Sequence, residues 1–338
     1  MKLEYSEARA KAPASIANLG PGFDRVGLSF PYFWDVVSVK ANSRLRGVVL
    51  SKDSLLLGTS DNPAENIASI AVKVALDALA PDWEKSIGIE VGVWKGVPAG
   101  YGLGSSAASA VAGLVSASAL VGKNQAFNKK LNAGFRLSEA VKLAGGVEAV
   151  SSGVAHYDNA AASLLGGFTS IISEDDKNVR AKFIHDLPDW GIAVFTPPFS
   201  KESTKSSREI LPQDIGFWFE VRERSAKASL GLIEAISHRD FDEFVSIVES
   251  DELVTPKRFE FYGKRIYAKA VAVAKSAAKH LGAKAAIGLS GAGPSLFVVA
   301  ESYHQALMIA AAMASAFGRG NAYGSQFSSA GAKLLGAE

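Results

Sequence analysis

The 338-residue chain contains no cysteine. A disulfide framework, a zinc–thiolate site, an iron–sulfur cluster and a cysteine nucleophile are thereby excluded. Surplus charge is missing as well. The 36 Lys and Arg against 34 Asp and Glu leave a net charge of +2, with no long basic run, so no nucleic-acid partner is expected. Apart from His156, the histidines at 185, 238, 280 and 304 show no metal-ligand spacing. No internal repeat or low-complexity tract is present. A signal pattern is also lacking, because Glu4, Glu7 and Arg9 interrupt any apolar run, and a cytoplasmic protein is expected. One stretch, Val97–Gly122, carries no charge and has the length of a membrane span. It opens with Pro98, Gly100, Gly102 and Gly104, then alternates Ala and Ser with little Leu, Ile or Phe. A helix that is small and uncharged all round is expected inside a globular core, and no membrane partner is expected.

What is present is ordinary globular composition, 48% apolar and 21% charged. The length suggests roughly two domains. Strand patterns appear at Trp34–Ala41, Arg46–Leu50, Ile87–Trp94, Gly167–Ile172, Gly191–Thr196 and Ser295–Ala300. Helical patterns appear at Pro63–Leu79, Ser105–Val121, Leu137–Ala144, Phe217–Ser237, Phe241–Glu249, Tyr267–Leu281 and Tyr303–Phe317. Ser60-Asp-Asn-Pro63 reads as a helix start, and Gly282 as a C-terminal cap. The order is no clean alternation, so an α+β fold is expected rather than a doubly wound sheet. Gly166, Gly167 and the charged run Glu174–Lys177 place a boundary between Phe168 and Val179.

The most informative segment is Pro98-Ala-Gly-Tyr-Gly-Leu-Gly-Ser-Ser-Ala-Ala108, between a strand and a helix. Glycines at alternate positions let the backbone turn sharply and approach a ligand. Their amides, with those of Ser105, Ser106 and Ala107, can face one concavity, to which the helix adds its positive end. That is the chemistry of a polyphosphate cradle, and the two hydroxyls suit phosphate or Mg²⁺. No Gly-Lys-Ser/Thr is present, so this is not the common P-loop. The third glycine of the dinucleotide fingerprint and its later acidic residue are missing too.

Two further glycine-rich segments stand out. In Ala12-Pro-Ala-Ser-Ile-Ala-Asn-Leu-Gly-Pro-Gly-Phe-Asp24, Asn18 and Asp24 flank a turn and could present an amide and a carboxylate to a small polar ligand. In Gly288-Leu-Ser-Gly-Ala-Gly-Pro-Ser295, the backbone could line a phosphate or close-pack against the first loop.

Taken together, the three segments resemble the signature motifs of the GHMP kinases, the family of galactokinase, homoserine kinase, mevalonate kinase and phosphomevalonate kinase. The resemblance extends from Ala12 to Ser328-Ser-Ala-Gly331, nearly the whole chain. Proline followed by Gly-Leu-Gly-Ser-Ser-Ala-Ala is highly specific to the family. It implies a two-domain α+β architecture: residues 1–172 as an ATP-binding domain like domain 2 of ribosomal protein S5, and residues 173–338 as a ferredoxin-like domain. ATP would sit over the residues Pro98, Ala99, Gly100, Tyr101, Gly102, Leu103, Gly104, Ser105, Ser106, Ala107 and Ala108, with Mg²⁺ as cofactor.

The opening motif looks like that of the homoserine branch. So does Glu148-Ala-Val-Ser-Ser-Gly-Val-Ala-His-Tyr-Asp-Asn159, continuing to Leu165-Gly-Gly-Phe168. Thr204-Lys-Ser-Ser-Arg208-Glu-Ile-Leu-Pro212 and Asp251-Glu-Leu-Val-Thr-Pro-Lys-Arg258 resemble two later motifs of that branch. The resemblance implies ATP-dependent phosphorylation of the L-homoserine hydroxyl in threonine biosynthesis. It assigns Arg208 and Arg258 to the substrate carboxylate, and Asn18, Asp24 and Asp158 to its amino end. Asn159 would orient the hydroxyl, with Asp158 a substrate ligand and optionally a base. Glu148 and Ser106 would hold Mg²⁺, with Ser105 as the alternative. His156, Gly291 and Gly293 would support these groups from behind. Family members are often dimers, so a homodimer is implied. A kinase for mevalonate, shikimate or a sugar, and a non-catalytic sensor on the same fold, are the alternatives.

Overall fold

A computed structural model describes residues 4–122, 137–174, 179–201 and 204–337. Among these, strands form two sheets. The first comprises β1 (Glu7–Ala17), β2 (Val26–Asn42), β3 (Gly47–Leu50), β4 (Gly88–Trp94), β5 (Phe168–Glu174), β6 (Val179–Ile184) and β11 (Lys333–Ala337). Its main path is β11-β1-β2-β4-β3, while the start of β2 also pairs with β5, which pairs with β6. The second sheet has the order β10-β7-β9-β8, from β7 (Gly191–Thr196), β8 (Ala285–Leu289), β9 (Leu296–Ala300) and β10 (Asn321–Gln326). Mixed helix and sheet in this arrangement is an α+β fold, as the sequence pattern predicts.

Four helices cover the inner face of the first sheet: α1 (Ile67–Leu79), α2 (Ser105–Leu120), α3 (Leu137–Ser152) and α4 (Tyr157–Leu165). The uncharged segment becomes α2, of whose residues all but Ser105 and Ser106 are buried. Its small side chains are what let other elements approach. A Cβ at Gly113 would lie 2.8 Å from the Ala68 carbonyl of α1. Ser116 and Ser118 return their hydroxyls to Ala112 and Leu114 at 2.9 and 2.7 Å, so burial costs them no hydrogen bond. No helix among the described residues is long and apolar enough to cross a membrane.

The second half adds α5 (Thr204–Glu209), α6 (Ile215–Ser237), α7 (Phe241–Val248), α8 (Val254–His280), α9 (Tyr303–Ala312) and α10 (Ala314–Phe317). Strands β7 and β9 are buried on both faces, and their two-residue period divides them between two cores. Ala193, Phe195, Leu296 and Val298 pack under α8 and α9. Ile192, Val194, Phe297 and Val299 pack with Ala14, Ile16, Leu28 and Phe30 of the first sheet and Leu232 and Phe244 of α6 and α7. This shared core fixes the two sheets against each other, and the cleft described below lies along the join.

Several element boundaries differ from the sequence reading. Helix α1 begins at Ile67, not Pro63. Asn66 caps it by accepting from Ala68 and Ser69, while Asn62 closes a local turn onto Ala64. Strand β1 has no predicted counterpart, because its Ala, Ser and Pro13 are poor strand formers; pairing along the length of β2 sets its conformation. β6, β8, β10, β11, α4 and α5 also lack a predicted counterpart. α8 begins at Val254, well before Tyr267, and bends at Gly263, whose φ is +118°. Gly282 follows the α8 C-cap at φ +61°, as predicted. The charged run Glu174–Lys177 falls largely outside the described residues.

Two adjacent glycines of α3 give a test of this packing. A Cβ at Gly145 would press into the Tyr157 ring and lie 3.1 Å from the His156 carbonyl, whereas Gly146 is exposed with nothing within 4 Å. Gly146→Ala is therefore expected to stabilise the protein by about 0.5–1 kcal/mol through helix propensity and chain entropy. Gly145→Ala is expected to destabilise it by about 1–3 kcal/mol. Urea unfolding of both variants reads the difference, and similar midpoints would contradict the α3–α4 contact.

Candidate active site

The glycine-rich loop joins β4 to α2, and its alternate glycines all adopt left-handed backbone: φ is +80° at Gly100, +74° at Gly102 and +66° at Gly104. Each also meets a different segment. A Cβ at Gly100 would lie 2.9 Å from the Lys201 carbonyl, at Gly102 against the Ser290 and Gly293 carbonyls, and at Gly104 against the Ser15 hydroxyl. The loop is thus the hub on which the other two glycine-rich segments converge. Ser290 donates its hydroxyl to the Gly102 carbonyl at 2.7 Å, and Gly291 N donates to Ala17 O at 2.9 Å. The close-packing alternative for Gly288–Ser295 is the one observed, with Gly291 also lining the cleft.

That cleft opens to solvent, and its empty space, the open mouth included, is about 1020 Å³. Pro98, Ala99, Gly100, Gly102, Leu103, Gly104, Ser105 and Ser106 form its floor. Tyr101, Ala107 and Ala108 do not line it; Ala108 belongs to the shared core and Tyr101 packs on that core's edge. The two serines divide sharply. Ser105 Oγ donates to Val97 O at 3.0 Å and accepts from Lys95 at 2.8 Å, so it is committed beneath the loop. Ser106 Oγ makes no hydrogen bond among the described residues and faces the cleft.

At one end of the cleft the predicted substrate residues converge. Asn18 and Asp24 both have positive φ, +59° and +54°, which Asn and Asp tolerate better than most side chains. Asn18 Oδ1 accepts from Asp24 N at 2.8 Å, and its Nδ2 donates to Gly291 O at 3.1 Å. The Asn18 amide therefore holds the turn and ties it to the third segment. Arg208 donates to Asp24 and, at 3.1 Å, to His156 Nε2, with its guanidinium 5.4 Å from the Phe23 ring centre. An arginine can only donate, so His156 accepts there and its proton sits on Nδ1. Burial, opposed by the Asp24 charge, lowers the His156 pKa and keeps the ring neutral.

Arg258 is 4% exposed and donates to Gly291 O at 2.6 Å. Its Nε is buried without a hydrogen-bond partner, and it forms no ion pair with a carboxylate among the described residues. Burial draws its pKa down to about 10, which leaves it charged at neutral pH. Asp158 is buried, and burial followed by the neighbouring Asp24 charge pushes its pKa up to about 7. Asn159 accepts the Ser15 hydroxyl at 2.9 Å, and its backbone N–H donates to Asp158 Oδ1 at 2.8 Å. Glu148 is held well above the usual carboxylate range, first by burial and then by the Asp158 charge, with Lys201 pulling it back.

Three features carried no sequence signal. Lys95 and Asp35 form a buried ion pair directly under the start of α2. Asp35 Oδ1 accepts from Gly96 N and Val97 N at 2.9 Å each, and Lys95 also reaches Ser109 Oγ at 2.8 Å. Lys201, just past β7, donates its backbone N–H to Gly100 O at 2.9 Å and sends its side chain into the cleft. Burial and the Arg258 charge lower its pKa to about 7, against the pull of Glu148. Thr59, Ser60, Glu65, Asn66 and Ile67 form the opposite wall.

A left-handed glycine loop thus caps a buried helix and is clamped by two further glycine-rich turns. A profile of the GHMP kinases N terminal domain matches residues 67–167. The homoserine kinase of Aeropyrum pernix is 34% identical over 310 residues, covering 91% of both chains. That of Thermoplasma acidophilum is 30% identical over 318 residues, covering 93% of this chain and 91% of its own. The crystal structure of homoserine kinase from Cytophaga hutchinsonii superposes with a TM-score of 0.81 at 25% identity, covering 99% of each chain. The chain belongs to the GHMP kinase family, within its homoserine kinase branch.

Proposed function

We infer that this protein transfers the γ-phosphoryl group of ATP to the side-chain hydroxyl of L-homoserine, giving O-phospho-L-homoserine and ADP. One observation carries this reading beside the family match: Arg208 and Arg258 stand with Asp24 and Asp158 at the end of a phosphate-type cradle. Homoserine is a zwitterion with a terminal hydroxyl, and this cluster offers cations for one end and carboxylates for the other. Arg258, which forms no ion pair among the described residues, is suited to the carboxylate together with Arg208. Asp24 and Asp158 are suited to the ammonium, and Asn18 shapes the turn that holds Asp24.

Glu148 and Ser106 are the proposed Mg²⁺ ligands. The fit rests on the hydroxyl that Ser106 leaves uncommitted and on hard oxygen donors from both residues. Ser105 is the weaker choice, since its oxygen already serves Val97 and Lys95. No cluster of three His, Cys, Asp or Glu that could hold a metal exists among the described residues, so phosphate and water oxygens would complete the shell. Bound there, Mg²⁺ would neutralise phosphate charge.

Phosphoryl transfer needs positioning and charge neutralisation more than covalent help. The loop amides and the α2 N-terminus hold the phosphates. Asn159, next to Asp158 and close to Gly104, orients the hydroxyl in line, and the hydroxyl attacks directly. We further propose residues 1–172 as the ATP-binding domain and residues 173–338 as the ferredoxin-like domain, assembled as a homodimer in the cytoplasm; light scattering tests the dimer.

The direct test is coupled ADP release with ATP and Mg²⁺ across L-homoserine, D-homoserine, mevalonate, shikimate and galactose. Strong preference for L-homoserine is expected, and preference for another acceptor would refute the substrate reading. The pH profile adds a second expectation. Asp158, with its pKa raised to about 7, is neutral below that pH and ionised above it. An ionised carboxylate is what the substrate ammonium requires. Hence, at saturating ATP, kcat/KM for homoserine should climb as pH rises towards 7. Asp158→Asn should flatten this rise while lowering kcat and raising KM together. A loss of kcat alone would make Asp158 a base instead.

A further inference from the structure

Lys201 has no role in the reaction as described so far, yet its position is constrained from three sides. Its backbone N–H donates to the Gly100 carbonyl at 2.9 Å, and its own carbonyl is the atom that excludes a Cβ from Gly100. The residue is therefore seated on the phosphate loop. Its side chain enters the cleft, where its charge acts on Glu148 on one side and on His156 and Arg258 on the other. Its ammonium forms no hydrogen bond and no ion pair among the described residues. A lysine placed in this way, with no side chain among the described residues bonded to its ammonium, is suited to an anion from outside the chain.

The available anions differ along the cleft. The amino-acid carboxylate has Arg208 and Arg258, and the inner phosphates have the loop amides and the α2 N-terminus. What lies between is the path of the transferred group, from the loop to the hydroxyl beside Asn159. We propose that Lys201 is a catalytic residue whose ammonium contacts the non-bridging oxygens of the γ-phosphoryl group as it passes from ADP to the substrate hydroxyl. This rests on the kinase reading above. In the step, the bond between Pγ and the β,γ-bridging oxygen breaks and its electron pair stays on ADP. A bond forms between the hydroxyl oxygen and Pγ, and the hydroxyl proton is released to solvent. The polyphosphate charge beside it favours the protonated amine, so Lys201 keeps its protons throughout and stabilises charge on the equatorial oxygens, where a loose transition state spreads it.

The test separates this role from loop support and from substrate binding. Lys201→Met should lower kcat about 100-fold or more, as loss of a transition-state charge contact does. It should weaken a non-hydrolysable ATP analogue about tenfold while leaving ADP affinity within about twofold, because ADP lacks the γ-group. KM for L-homoserine should move by less than about threefold. Lys201→Arg, which keeps the charge, should retain the preference for the ATP analogue over ADP. Equal loss of ADP and ATP-analogue affinity would show that Lys201 only supports the loop and would overturn the proposal. So would a large rise in homoserine KM with normal kcat, which would place the ammonium on the substrate carboxylate. If Lys201→Met unfolds, the Arg variant decides by the same nucleotide comparison. That comparison needs no acceptor, so its outcome stands apart from the identity of the phosphorylated substrate.

Discussion

Replacing Arg208 with Ala is expected to raise KM for L-homoserine about 100- to 1000-fold, the loss of two charge-assisted hydrogen bonds. KM for ATP should change by no more than about twofold, because the guanidinium touches no loop residue. The geometry explains why the effect is concentrated on one substrate. Arg208 is held by Asp24 and His156 and lies over the Phe23 and Trp218 rings, so its fork is aimed before substrate arrives. Preorganisation of this kind is lost together with the charge. The penalty to folding should be small, no more than about 1 kcal/mol, since the ion pair with Asp24 is partly exposed. Arg208→Lys should recover only part of the affinity, because an ammonium cannot reproduce the planar fork. Steady-state kinetics with each substrate varied in turn decides the matter. A parallel rise in both KM values would remove Arg208 from the carboxylate.

The second large effect is on stability. Lys95→Met should cost about 3–5 kcal/mol, the penalty for stranding one partner of a buried ion pair. Asp35 would be left fully enclosed, with two backbone N–H groups and Ser109 as its remaining partners. Those same contacts fix Gly96 and Val97 at the entry to the glycine loop, and Lys95 itself holds Ser105 at the first turn of α2. ATP affinity should therefore fall along with the unfolding free energy. Adding Asp35→Asn to Lys95→Met removes the stranded charge but keeps an oxygen for Gly96 and Val97. The double variant should regain roughly half of the lost stability, a coupling expected of residues in direct contact. Urea unfolding measures it. A single variant within about 1 kcal/mol of wild type, or strictly additive losses, would contradict the buried-pair account.

The two cases differ in how far the sequence announced them. Arg208 stands in a segment that resembles a homoserine kinase motif, so the resemblance implies a role before any distance is known. Asp35 and Lys95 sit in ordinary strand surroundings 60 positions apart, and a lone Asp in an alternating strand reads as a solvated side chain. Only the pairing of β2 with β4, in which Val36 faces Trp94, brings them together. Lys201 was missed for the same reason: nothing local marks it, and its significance comes from contact with Gly100, a residue 101 positions away. The strands lacking a predicted counterpart follow the same rule. β1 is rich in Ala and Ser and contains Pro13, so local propensity opposes the conformation that its pairing with β2 imposes.

The glycine loop, the small-residue helix behind it, the α+β class and the branch of the family were legible along the chain. These are local properties: left-handed turns need glycine, a crowded helix needs small side chains, and a motif is read along the chain. The tertiary structure alone decided which of the paired serines is committed under the loop and which faces the cleft. It alone decided that the third glycine-rich segment packs against the first, and that Asp24, His156, Arg208 and Arg258 share one pocket. Such choices turn on hydrogen bonds between residues as much as 273 positions apart, and on charges whose strength depends on burial. Neither quantity exists until the two halves close on their common core.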